Sequence, residues 1–181
     1  MATQYDELSD KLISFIEQQK IYFVATATDK SRINLSPKGM DSLKVLTKNR
    51  VIWLNVTGSG NETAAHIQIN PRMTIMFAAF DGNPLILRLY GNAKVIHPRD
   101  EQWSNLYSKF NPLPGARQIF DVKIDMVQRS CGMAVPNYDY VSERGLLNEW
   151  ASFKGDEGVE KYWADKNQHS IDGIQTKILE D

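Results

Sequence analysis

Leu8, Leu12, Phe15 and Ile16 recur at the spacing of one helical face. With Thr3 as cap and Asp6 and Glu7 in the first turn, they predict a helix from about Gln4 to Gln19. The period then shortens. IYFVATAT (Ile21–Thr28) is β-branched and aromatic, and Asp29-Lys30-Ser31 turns it into RINLS (Arg32–Ser36), which Pro37 and Gly39 break. Leu43 and Leu46 predict a short helix over Asp41–Thr47, and the apolar run VIWLNV (Val51–Val56) is a strand. A Gly58-Ser59-Gly60 loop leads into a helix from Asn61 to about Ile69.

MTIMFAAF (Met73–Phe80) and LILRLYGNAKVI (Leu85–Ile96) flank Asp81-Gly82-Asn83-Pro84, a hairpin signal. In the second arm Leu85, Leu87, Leu89, Ala93 and Val95 alternate with Arg88, Asn92 and Lys94, so one face is buried. Pro98-Arg99-Asp100 opens a helix carrying Trp103, Leu106, Tyr107 and Phe110. After the loop NPLPG, IFDVKIDMV alternates again, with Asp121 and Asp125 on its solvated side. Residues from Ser142 onward read as two helices separated by Gly155, with Trp150 and Trp163 packing them down.

This pattern predicts a mainly β chain with peripheral helices, an α+β fold. Its six antiparallel strands can remove their exposed edges by closing into a barrel. Residues 1–140 form the barrel unit and 141–181 a helical C-terminal extension packed on it. Strand–helix alternation is too brief for a doubly wound parallel sheet.

Composition narrows the function classes. The 181 residues carry 21 Lys and Arg against 22 Asp and Glu, a net charge of −1. That offers no general field for nucleic acid or an anionic membrane. Cys131 is the one cysteine, so there is no disulfide framework, and a reducing, cytoplasmic setting is expected. Its apolar neighbours predict a buried structural thiol. His66, His97 and His169 are scattered without metal spacing, and His66 is expected to be partly exposed on its helix. No apolar run approaches the ~20 residues of a membrane span.

Two segments carry candidate chemistry. Gly58 and Gly60 let backbone approach a ligand, while Thr57, Ser59, Asn61 and Thr63 add short donors beside a helix start. Such a start collects unpaired N–H groups and can seat a phosphate; the same residues also make a tight turn with an Asn cap. The loop has neither a P-loop lysine nor dinucleotide spacing. Lys38, where a strand breaks, is either a solvated turn lysine or a mobile charge for a phosphate.

In order and spacing, NLSPKGMDSLKVL, TGSGNETAAHIQINPRMTIMFAAFDG, RLYGNAKV and RSCGMAVPNY are similar to the pyridoxamine 5′-phosphate oxidase-like, FMN-binding split β-barrel family. The resemblance spans about residues 15 to 150. It implies a six-stranded split barrel, a homodimer, and FMN held at two sites between subunits. By position it places Asn34, Leu35, Ser36, Pro37 and Lys38 along the flavin, with Lys38 near its phosphate and Leu54 and Asn55 in contact. Thr57, Gly58, Ser59, Gly60, Asn61 and Thr63 form the phosphate loop. Glu62 and Thr63 stand where vitamin-processing members often carry arginine and lysine, so either backbone N–H groups replace lost cations and Glu62 points away, or the site binds FMN weakly. Arg88 either reaches the partner subunit's flavin or forms a surface ion pair.

The implied activity is flavin-mediated oxidoreduction of a small molecule. Non-catalytic binding of a flavin, a deazaflavin or heme is the alternative. True pyridoxamine-phosphate oxidase activity is disfavoured, because WADKNQHSIDGIQTKILED lacks the arginines that grip that substrate.

Overall fold

The structure, a computed structural model, describes residues 2–179; residues 1, 180 and 181, at the ends of the expected units, lie outside them. Eight strands and four helices follow in the order β1 (Thr3–Tyr5), α1 (Asp10–Gln18), β2 (Tyr22–Thr26), β3 (Asn34–Lys38), β4 (Leu43–Thr47), β5 (Arg50–Val56), α2 (Glu62–Ile69), β6 (Arg72–Ala78), β7 (Ile86–Ile96), α3 (Trp103–Tyr107), β8 (Ala116–Ser130) and α4 (Leu146–Lys166). All pairings are antiparallel, in the path β3-β2-β6-β7-β8-β5-β4. The expectation of six strands closing into a barrel is therefore corrected: the sheet has eight strands and stays open, ending at β3 and β4.

Both extra strands lie where a helix was expected. Asp41–Thr47 is a strand from Leu43 onward because β5 offers a partner across the tight connection at Lys48 and Asn49. Leu43 and Val45 then pack on one core and Leu46 on the other. Helix α1 starts late, at Asp10, capped by Ser9, whose hydroxyl accepts from Leu12 N–H. Thr3–Tyr5 instead pairs with Val127–Arg129 of β8. The 15-residue β8 explains this. One of its edges takes β7 along most of its length, while the other takes β5 at its start and leaves room for β1 near its end.

The continuous apolar run in β5 reflects burial on both faces. Val51 and Trp53 join Phe120, Val24, Ile75 and Leu89 in the main core, where Trp53 stacks on Phe120 with centroids 4.4 Å apart. Ile52 and Leu54 face the opposite side, with Ile119 and the α3 residue Leu106. Pro37 sits in β3, which runs through it to Lys38; the missing N–H is tolerated because β3 is an edge strand paired only with β2. Helix α4 bends at Gly155, whose φ of 65° breaks it into the two expected helices. Among the described residues, no helix is long and apolar enough to cross a membrane.

Candidate functional site

The ends of β3 and β5 meet the glycine loop around a cavity of about 200 Å³. Pro37 and Lys38 line it from β3, Leu54 and Asn55 from β5, and Thr57, Gly58 and Gly60 from the loop. These seven are sequence-predicted positions. A second, larger cavity of about 880 Å³ shares Pro37, Lys38, Gly39, Met40 and Leu147 with the first. Phe80, Tyr138 and Tyr140 contribute to its wall. The larger volume is in the ~300–1,000 Å³ range of pockets that bury drug-sized ligands, and the smaller suits a single polar group.

Arg117, at the start of β8, lines the small cavity and was not singled out by the sequence reading. Its signal was present: it lies two residues from Ile119 on the face of β8 that turns away from the main core. It is 3% exposed. Its Nη1 and Nη2 donate to the carbonyls of Gly58 (3.2 Å) and Gly60 (2.7 Å), while its Nε–H has no acceptor among the described residues. Burial pushes its guanidinium down to about 10, so it stays charged at neutral pH.

Lys38 is partly buried, with Nζ 5.1 Å from the centroid of the Trp53 ring. Burial first, and then the Arg117 charge, push its ammonium down to about 8, against a smaller upward pull from Glu62. Neither cation forms an ion pair among the described residues.

The glycine loop is tied to the C-terminal part of the chain. Trp163 Nε1 donates to Thr57 Oγ1 at 2.8 Å, and Thr57 Oγ1 donates to Gly115 O. Asn167 Nδ2 donates to Gly58 O and to Asn61 Oδ1. Asn61 Nδ2 in turn serves the carbonyls of Lys166 and His169, both at 2.9 Å. Thr57, Asn61 and Asn167 are all buried, so these bonds satisfy groups that would otherwise be stranded. The expected packing by Trp163 is thus specific to the loop, while Trp150 meets Tyr162 edge-on. Glu62 does not simply point away: its carboxylate accepts from the N–H groups of Asn61 (3.0 Å) and Ile171 (3.2 Å).

The remaining predicted positions lie outside the lining of the small cavity. Asn34 donates to Thr26 and Thr63, forming a polar link between β3 and α2. Leu35 is 65% exposed, Ser36 is half-buried opposite Val24, and Ser59 is exposed. Arg88 donates to Ser130 Oγ across the β7–β8 ladder. Two further expectations are corrected. Cys131 is exposed, because β8 ends just before it. His66 is fully buried, its Nδ1 3.2 Å from Thr26 Oγ1, because α2 packs this face against β2. His97 is also buried, and desolvation with the Arg99 charge pushes it down to about 4, so it is neutral near pH 7.

An antiparallel sheet with flanking helices and a cationic cavity at its strand ends is an α+β architecture of the split-barrel type. The pattern of the pyridoxamine 5′-phosphate oxidase family matches residues 8–131. The pyridoxamine 5′-phosphate oxidase family protein ustO of Aspergillus flavus is 34% identical over 188 residues, covering 94% of this chain and 76% of that protein. The chain belongs to the pyridoxamine 5′-phosphate oxidase family.

Solved structures share its fold. HupZ from Group A Streptococcus aligns with a TM-score of 0.54 at 15% identity, covering 73% of this chain and 100% of that one. The FAD binding protein from Mycobacterium smegmatis aligns at 0.51 and 16% identity, covering 68% and 96%.

Proposed function

We propose that this protein binds FMN and acts as a flavin-dependent oxidoreductase on a small molecule. The carrying observation is the clustering of Pro37, Lys38, Leu54, Asn55, Thr57, Gly58 and Gly60 around one cavity that Arg117 also lines, with neither Lys38 nor Arg117 in an ion pair among the described residues. That donor set fits a ligand with an anionic end, and the adjoining chamber with Phe80, Tyr138 and Tyr140 in its wall suits a flat ring system. When bound, the flavin supplies hydride and electron transfer. Lys38 and Arg117 hold the negative end, and the apolar walls around Leu54, Met40 and Leu147 limit water. A neighbour described as an FAD binding protein and the family membership support the flavin assignment.

Purified protein is expected to be yellow, or to turn yellow with added FMN, and its flavin to be reduced by NAD(P)H or another donor. A colourless protein that takes up no FMN would sink the proposal; a bound flavin inert to every donor would leave a binder. Affinity is expected to fall as pH rises through about 8, because Lys38 then loses its proton. Arg117 stays charged across that range.

We also propose a homodimer. Ile33 (80% exposed) and Leu35 (65%) present apolar side chains beside the free edge of β3, a surface suited to a second copy. Light scattering is expected to give twice the 20.6 kDa chain mass, and a strict monomer at micromolar concentration would refute this.

A further inference from the structure

We propose that Met40 is a further ligand-binding residue, held by a strained turn between the two free edges of the sheet so that its side chain packs on the ligand where its ring meets its chain. The proposal rests on the flavin reading for the identity of the ring, and deepens it by naming what positions the ligand's middle.

Strands β3 and β4 are the two ends of the open sheet, yet only Gly39, Met40, Asp41 and Ser42 separate Lys38 from Leu43. A connection this short makes the sheet curl until its edges approach each other. The turn is closed by Ser42 N–H, which donates to Gly39 O at 3.3 Å. Both central residues have positive φ, 64° at Met40 and 50° at Asp41. That is the pattern of a type I′ turn, which Asn-Gly or Asp-Gly fills with least strain. Aspartate tolerates the left-handed region, but a methionine there is strained.

The surroundings hold the strain in place. Ser42 Oγ donates to the same Gly39 carbonyl at 2.6 Å, so its oxygen is left to accept from Tyr22 OH on β2, 2.8 Å away and buried. On the other side Leu54 N–H of β5 donates to Ser42 O at 2.8 Å. Strained residues persist where the structure over-determines them, and they gather at ligand sites.

Met40 stands at such a place. It is half-buried, and it lines both the cavity of about 200 Å³ and the chamber of about 880 Å³. Leu147 of α4 lines both as well, so a ligand reaching from one space into the other passes these two apolar side chains. A thioether packs well against an aromatic ring and adapts to its edge. Glycine or asparagine would relax the backbone at this position but would leave that contact unmade. The side chain of Met40, and not its turn preference, therefore accounts for its place in the turn.

The test compares the full-length wild type with Met40→Gly, Met40→Asn and Met40→Leu. The first two relieve the positive φ and remove the thioether, and their ligand-free forms are expected to melt no lower than wild type and up to about 4 °C higher. Their Kd values for FMN and for riboflavin are expected to rise at least tenfold and by the same factor, because the two ligands share ring and chain and differ only in the phosphate. Met40→Leu keeps the strain and an apolar side chain of similar bulk, and is expected to bring both Kd values back to within about threefold of wild type. A merely structural role would change melting and leave the affinities alone. Unchanged affinity for both flavins in Met40→Gly and Met40→Asn, a loss confined to FMN, or melting several degrees below wild type would each overturn the proposal.

Anilinonaphthalene sulfonate, an aromatic dye with an anionic group, keeps the two readings apart. If wild type binds neither flavin, the flavin reading falls and the dye decides on Met40. Dye affinity that weakens severalfold in Met40→Gly and recovers in Met40→Leu would support Met40 as a ligand contact, and an unchanged dye affinity would overturn it. Flavins that bind wild type and both relaxed variants equally well would leave the flavin reading standing and remove Met40 from the site.

Discussion

Lys38→Met is expected to make the ligand-free protein melt higher than wild type, by roughly 5–10 °C near pH 7. The folded chain holds the Lys38 ammonium at about 8, against 10.5 for a free lysine. At 1.36 kcal/mol per pH unit, and with partial solvent screening allowed for, the charged form costs about 2–3 kcal/mol. For a chain of this length, 1 kcal/mol is worth about 2–4 °C. Since the folded value is the lower one, the unfolded chain binds the extra proton between pH 8 and 10.5. Stability therefore rises with pH across that window, and the penalty is complete below it.

Melts of both proteins at pH 7 and pH 10 are the check. The advantage of Lys38→Met should be largest at pH 7 and shrink by pH 10. An equal advantage at both pH values, or a loss at pH 7, would show that Lys38 is not strained by its charge. A residue whose removal stabilises the empty fold has a reason other than stability to be charged, which is the behaviour expected of a ligand-binding group.

Gly91→Ala is expected to cost more than 3 kcal/mol, or to prevent recovery of folded protein. A Cβ at Gly91 would fall 2.1 Å from Lys123 O and 2.9 Å from Lys123 C, both backbone atoms that cannot rotate away. The β7–β8 register also shifts between Tyr90 and Gly91, so the close approach is part of a bulge in the central ladder. Strand β8 has little freedom to retreat, because it is paired with β5 around Lys123 and with β1 beyond it. Gly58→Ala is the control: its Cβ meets nothing within 4 Å, and stability should stay within about 0.5 kcal/mol. Urea unfolding of the two variants should differ by several kcal/mol, and a near-neutral Gly91→Ala would mean that the ladder can relax after all.

The strands with strong internal patterns were legible from the chain. The alternation in β7 and β8, the apolar run of β5 and the turn residues between β6 and β7 each carry their own period or punctuation. Strands β1 and β4 were not. Thr3-Gln4-Tyr5 has no apolar alternation, and it is extended because β8 leaves an edge free beside Val127. Leu43 and Leu46 fit a helical spacing as well as a strand buried on both faces, and the proximity of β5 decides between them. His66 and Cys131 were misjudged for the same reason: burial is a property of what packs against a residue, and α2 covers one while the end of β8 uncovers the other.

For the site, the sequence by itself determined which residues are rich in chemistry. It marked Lys38 at a strand end and a glycine loop before a helix, both carried by local spacing. Only the tertiary structure decided where charge is wanted. It brings Arg117 in from a strand about 60 positions away, turns two loop carbonyls onto it, and sets Glu62 and the C-terminal segment over the helix start. The physical reason is that electrostatic need depends on burial and on the sign of the nearest dipoles, and both are set by contacts between segments distant in sequence.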